Sequence, residues 1–179
     1  MVSSHSSVNT TTENTVDFIN NQLQSGFIKI ANAANVDIGL LTSDRKRISE
    51  SLGVWLEEQS LGRVDLEFVT PDGTVIESYR FNVSYDGNMG YVEFDAQQVI
   101  REVGDYSHQD DVVARVVPGT YPNATDLGWT TDDRPPAETE SITNFGAGNI
   151  EVDSQRVLNP DREQKSESLI DDILRNLFD

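Results

Sequence analysis

The sequence predicts an α+β fold in which helices cover one face of an antiparallel sheet. Three observations lead there. An apolar stripe at helical spacing runs through residues 13–34, an alternating hairpin pattern fills 63–85, and a further helical segment precedes more strands. At 179 residues with 36% hydrophobic composition, the chain suits one domain with its own core.

Residues 1–12 are rich in Ser, Thr and Asn without periodicity and read as a flexible tail. From Glu13 to Ala34, Val16, Ile19, Leu23, Phe27, Ile30 and Ala34 fall on one stripe of a long helix. Gly26 weakens that helix by about 1 kcal/mol relative to Ala, which a packed stripe tolerates. A second helix is expected to start at Thr42 or Ser43, either of which can cap it, with Ile48, Leu52, Trp55 and Leu56 on its apolar side. Next, Val64, Leu66 and Phe68 alternate with Arg63, Asp65 and Glu67, and Tyr79, Phe81, Val83 and Tyr85 alternate with Arg80, Asn82 and Ser84. Pro71-Asp72-Gly73 lies between them and supplies turn chemistry in order, so the expectation is a hairpin with one buried face. "DGNMG" (86–90) makes another turn, and Asp95 can cap a third helix with Val99, Ile100 and Val103 inward. "DVVARVVP" (111–118) reads as a strand that Pro118 ends.

The stretch "LGWTTDDRPPAETESITNFGAGNIEVDSQRVL" (127–158) is compositionally a linker, yet it holds Trp129, Phe145 and an alternating Ile150 and Val152. A short strand is expected at Asn149–Val157. Beyond Pro160 an acidic tail (159–179) ends in "SESLIDDILRNLFD", where Leu169, Ile170, Ile173, Leu174, Leu177 and Phe178 form a helical stripe. That stripe either docks on its own domain or serves as a ligand for another protein's groove.

Composition narrows the partners. The formal charge is −18, from 31 acids against 13 bases, and only Lys29, Lys46 and Lys165 are lysine. Such a surface repels phosphates and argues against direct nucleic-acid binding. It also suggests a salt-adapted host. No apolar run approaches the roughly 18 residues of a membrane span, and "MVSSHSSVNTTTEN" has no signal-peptide character, so the expected place is the cytoplasm. There is no cysteine, hence no disulfide, thiolate metal site or thiol nucleophile.

Catalytic groups are sparse. His5 lies in the tail, and His108 sits in the polar loop "YSHQDD" beside Asp110 and Asp111. Asp86 and Asn88 start like a calcium loop, but its twelfth position is Gln97 and its glycine is misplaced. Gly146 and Gly148 belong to no phosphate loop. Glu57 and Glu58 read as the solvated side of a helix. The expectation is a protein without catalytic activity, metal or cofactor. A small hydrolase using carboxylates alone has nothing in the spacing to favour it.

The order of elements, with "ISESLGVWLEEQSLGRVDLEFVTPDGTVIESYRFNVSYD" at its centre and "GWTTDDRP…FGAGNIEVDSQRVL" closing the domain, resembles the HORMA domains that accompany cGAS/DncV-like nucleotidyltransferases in bacterial and archaeal anti-phage (CBASS) operons. The resemblance spans about residues 13–158. It implies a mobile C-terminal safety belt, here 119–157, that wraps over a closure peptide and pins it as an added strand. Tyr121, Trp129, Phe145, Ile150 and Val152 would belong to that belt, and Pro122, Pro135 and Pro136 would discourage regular structure in it. It further implies that the closed form activates the nucleotidyltransferase and that an AAA+ ATPase reopens it from the N-terminus. The closure peptide would come from a partner, another HORMA protein or the chain's own tail, although a helical stripe at 169–178 fits an extended strand poorly. The competing reading is a static capsid or surface-assembly subunit of a salt-adapted organism.

Overall fold

The computed structural model of the protein describes residues 12–129 and 137–160. In chain order the elements are α1 (Glu13–Ala34), α2 (Gly39–Ser43), α3 (Arg45–Glu57), β1 (Leu61–Val69), β2 (Val75–Ser84), β3 (Met89–Val92), α4 (Ala96–Ile100), β4 (Val113–Thr120), β5 (Thr139–Gly148) and β6 (Ile150–Val157). The strands form one antiparallel sheet in the order β3-β5-β6-β2-β1-β4.

Helix α1 begins where Thr12 accepts a hydrogen bond from the Thr15 N–H and ends at Asn35, which takes the left-handed conformation at φ 60. Its stripe of Val16, Ile19, Leu23, Phe27, Ile30 and Ala34 is buried against the sheet. Gly26 has a packing reason that helix propensity does not reveal. A Cβ there would lie 2.6 Å from Phe94 Cε2, and the Phe94 ring is wedged between Phe81 and Phe145. Gly26→Ala, which propensity alone would make favourable, is therefore expected to lower stability by about 1–3 kcal/mol in urea unfolding. A stabilised variant would show that Phe94 moves aside freely.

The second helical segment starts earlier than its expected cap. Thr42 and Ser43 lie inside α2, where their hydroxyls bond back to carbonyls of Ile38, Gly39 and Leu40. Asp44 interrupts the helix, and α3 follows without a side-chain cap. Ile48, Leu52, Trp55 and Leu56 are buried as expected.

The β1–β2 hairpin closes at Thr70–Thr74 with Gly73 at φ 87, and Asp72 accepts from Thr74 N–H and from the Thr70 hydroxyl. Val64, Leu66, Phe68, Tyr79, Phe81 and Val83 point to the helices. The expectation of one buried face needs correction, because Asp65 and Glu67 on the opposite face are each only 1% exposed. Arg80 grips Asp65 through two bonds of 2.9 and 3.0 Å, Arg63 adds a third, and Arg115 reaches Glu67 at 2.9 Å. Asn82, Gln155, Asp153 and Ser141 carry the polar layer on across β6 and β5. Fixed pairing satisfies these groups in place of water.

Three further strand expectations change. Pro118 does not end β4. It sits opposite Val64 within it, which an edge strand permits because the missing N–H faces away from β1. The turn at 86–90 leads into β3, and β5 occupies residues that composition marks as a linker. Gly148 at φ 55 and Asn149 form the two-residue connection to β6, with glycine first as a type II′ turn requires. The third helix stops at Ile100, with Asp95 capping it through Gln97 N–H and Val99 buried.

Candidate functional site

β4 and β5 run in the same direction and are separated by β1, β2 and β6, a span of about 19 Å at the usual interstrand spacing. The chain leaves β4 at Thr120 and re-enters the sheet at Thr139, on the far side of those three strands. Residues 121–129 run along α3, fastened by two α3 side chains, Arg47 and Trp55, and by Glu58 and Ser60 beyond its end. The Ser60 carbonyl accepts from Tyr121 N–H at 2.8 Å. Glu58 accepts from Thr125 N–H and Thr125 Oγ1, both at 2.8 Å, and Trp55 Nε1 donates to the Thr125 carbonyl at 2.9 Å. Near the start of α3, Arg47 donates to the Gly128 carbonyl at 3.1 Å, and its guanidinium carbon stands 4.7 Å from the Trp129 ring centre.

Glu57 and Glu58 do occupy exposed positions, but Glu58 is more than a solvated acid. Hydrogen bonds from Ser60 and then Thr125 hold its carboxyl below the usual glutamate range. A depressed value means the bonds contribute at neutral pH and are lost as the pH falls through it. Glu58→Gln is expected to loosen residues 121–129 at pH 7, seen as a change in tryptophan emission. The difference from the parent should disappear in acid, once the pH has fallen below the ordinary glutamate range and through the lowered value. Identical emission at pH 7 would remove Glu58 from the latch.

The expected belt residues divide into two groups. Phe145, Ile150 and Val152 have no exposed surface and lie in the core of the β5–β6 hairpin, where Phe145 stacks on Phe94 and Val152 pairs with Val83. They can hold the hairpin on β2, but they offer nothing to a ligand. Tyr121, 48% exposed, and Trp129, half-buried, line a pocket of about 310 Å³ together with Trp55, Thr125 and Leu127. The two indoles meet edge-on at 6.4 Å. Trp129 Nε1 is buried without a hydrogen-bond partner, an arrangement that costs about 1–3 kcal/mol if nothing fills it. Pro135, Pro136, His5 and the stripe from Leu169 to Phe178 lie outside the described residues.

Beside this latch lies the outer edge of β4. Asp37 bridges its beginning, donating to the Val112 carbonyl and accepting from Ala114 N–H. Since Ala114 N–H points outward, alternation points Val116 N–H outward as well, while Pro118 has none to offer. Among the described residues no strand pairs with this edge beyond Asp37. Trp129 and Tyr121, named through the resemblance, both line this pocket, whereas Asp37, Arg47, Glu58 and Val116 are not singled out by the sequence reading. Their roles come from tertiary register, which no local spacing encodes.

His108, Asp110 and Asp111 are exposed in the loop before β4. Among the described residues no three acids or histidines gather to hold a metal ion, and no helix is long and apolar enough to cross a membrane.

No protein-family model and no curated protein matches the sequence. Solved structures do. A chain of a mitotic checkpoint complex is 14% identical with a TM-score of 0.60, over 83% of this chain and 97% of that one. A chain of the CdnC:HORMA-deltaN complex of E. coli MS115-1 is 14% identical with a TM-score of 0.59, over 83% and 90%. A chain of the HORMA:CdnC:Trip13 complex of the same strain is 13% identical with a TM-score of 0.57, over 84% and 91%. These likenesses show the fold: an α+β domain of HORMA type.

Proposed function

We propose that this HORMA-like domain is a non-catalytic conformational switch. It captures a closure peptide of a partner protein as an added strand on the outer edge of β4 and holds it under the connection that leaves Thr120. The open edge carries this reading, because among the described residues no strand pairs with β4 beyond Asp37 and the latched residues 121–129 follow directly from it. Backbone bonds supply affinity in such strand addition, and pockets for alternate side chains supply specificity. In this reading residues 13–158 are the switching domain and 119–157 its belt. Residues 1–12 form a handle, and 159–179 form a separate tail. The closed form regulates a cGAS/DncV-like nucleotidyltransferase in cytoplasmic anti-phage signalling, and an AAA+ ATPase reopens it. The E. coli complexes, in which a HORMA protein is joined with CdnC and Trip13, support partners of those kinds.

The test uses the full chain immobilised for peptide display. Selected peptides are expected to protect Val116 N–H from hydrogen exchange. Val116→Pro, which deletes that outward donor on an edge where proline is tolerated, should weaken them at least tenfold without unfolding the domain. Peptides that bind equally well to Val116→Pro, or that protect no β4 amide, would overturn the reading.

A further inference from the structure

The β5–β6 hairpin is anchored unevenly. Residues 139–144, the half away from its tip, are mostly polar and none is buried. Around the tip, Phe145, Ala147, Ile150 and Val152 have no exposed surface. One segment, residues 85–95, holds that tip. Its Gly87 N–H donates to the Asn149 carbonyl at 3.1 Å, and β3 pairs with β5 through Met89 with Gly148 and Val92 with Gly146. Gly146 permits the approach, since a Cβ there would stand 2.5 Å from Met89 Sδ. Gly90, Tyr91, Val92 and Glu93 are exposed, so the inward hold of the segment falls to Phe94. The Phe94 ring lies 4.8 Å from Phe145 in the hairpin and 5.6 Å from Phe81 in β2.

Helix α1 receives this segment along a single line. Phe18, Gln22 and Gly26 recur every fourth residue and therefore stand one above another on the helix. Phe18 meets Tyr91 edge-on at 5.0 Å, Gln22 Oε1 accepts from Phe94 N–H at 2.8 Å, and Gly26 leaves the room that the Phe94 ring fills.

We infer that residues 85–95 are a strap that locks the β5–β6 hairpin on β2, with Phe94 as its bolt and the Phe18–Gln22–Gly26 line of α1 as its keeper. To leave β2 the hairpin must shed β3 and draw Phe145 off Phe94. The strap has one inserted side chain and an exposed back, so it opens at lower free energy than the core beneath it. Loosening the first turns of α1 removes the Phe18 and Gln22 contacts, and the effect reaches a hairpin near the other end of the chain. The inference rests on the proposed switch only for the hairpin's need to move, since that hairpin ends the belt of residues 119–157.

Native-state hydrogen exchange of the full chain, with no peptide present, is the test. In the parent, amides of Ile150–Val157 are expected to exchange faster than those of residues 64–68 in β1, through an opening that leaves β1 folded. Phe94→Ala should speed the Ile150–Val157 amides at least tenfold, and Gln22→Met, which removes only the acceptor, about three- to tenfold. Ile48→Val in α3 is the control. It should speed residues 64–68 by a few-fold through global stability and leave Ile150–Val157 unchanged, because the open form keeps α3 packed. Hairpin amides that ignore both strap variants, or that respond to Ile48→Val as strongly as to Gln22→Met, would overturn the strap. Should Phe94→Ala not fold, Gln22→Met against Ile48→Val decides alone. Failure here strikes the strap, whereas failure of the Val116→Pro test strikes peptide capture, so the two are told apart.

Discussion

Asp65→Ala is expected to destabilise the domain by about 3–5 kcal/mol, measured by urea unfolding followed through tryptophan emission at pH 7. Asp65 is 1% exposed in the middle of β1, directly opposite Arg80 in the β1–β2 register. Its two oxygens accept from Arg80 Nε and Nη2 and from Arg63 Nη1. Removing the carboxylate strips a buried guanidinium of its bidentate partner, and that desolvated charge dominates the loss. Because both groups are buried, the loss should persist in 1 M salt, where the screening length is about 3 Å. The joint replacement Asp65→Leu with Arg80→Met should recover most of that loss, the remainder reflecting the bond that Arg63 also gives up. A loss below 1 kcal/mol for Asp65→Ala alone would mean that water reaches the pair.

That network also shows how far the sequence could be read. Alternation in β1 and β2 identified the inward residues correctly, because Val, Leu, Phe and Tyr at every second position have one place to go. It assigned Arg63, Asp65, Glu67 and Arg80 to solvent, and the pattern is the same whether such a face is wet or lined with ion pairs. Only the register, which sets Asp65 against Arg80 and Glu67 against Arg115, distinguishes the two. Long helix α1 was legible because its stripe from Val16 to Ala34 covers about five turns, although its cap, Thr12, falls in what the sequence reads as the tail. β5 was not. Thr139, Ser141, Thr143 and Asn144 are polar, a register shift between Ser141 and Thr143 breaks their alternation, and the strand is held by β6 rather than by its own pattern. The candidate site was legible only as aromatic residues in polar surroundings. What places Trp129 is Trp55 and Arg47, which lie 74 and 82 positions earlier in the chain, so that contact had no local signature.

Trp129→Ala is expected to cost about 2–3 kcal/mol, less than the 3–5 kcal/mol of a fully buried aromatic because the side chain is half-buried. The loss should be local. Hydrogen exchange at Thr125 and Gly128 should accelerate while α1 and the β1–β2 hairpin keep their protection, because those elements are held by the core rather than by the latch. Peptides selected on the parent chain should dissociate at least tenfold faster from this variant, as the connection that covers them no longer has its anchor. Trp129→Phe separates packing from hydrogen bonding. It keeps an aromatic ring against Trp55 and under Arg47 but removes the indole N–H, which is buried without a partner. In the free protein that loss should be neutral or stabilising by about 1 kcal/mol. In the complex it should weaken binding about tenfold if a captured carbonyl is what the N–H awaits. Equal peptide affinity in parent, Trp129→Ala and Trp129→Phe would take this residue out of capture and leave it a purely structural contact of α3.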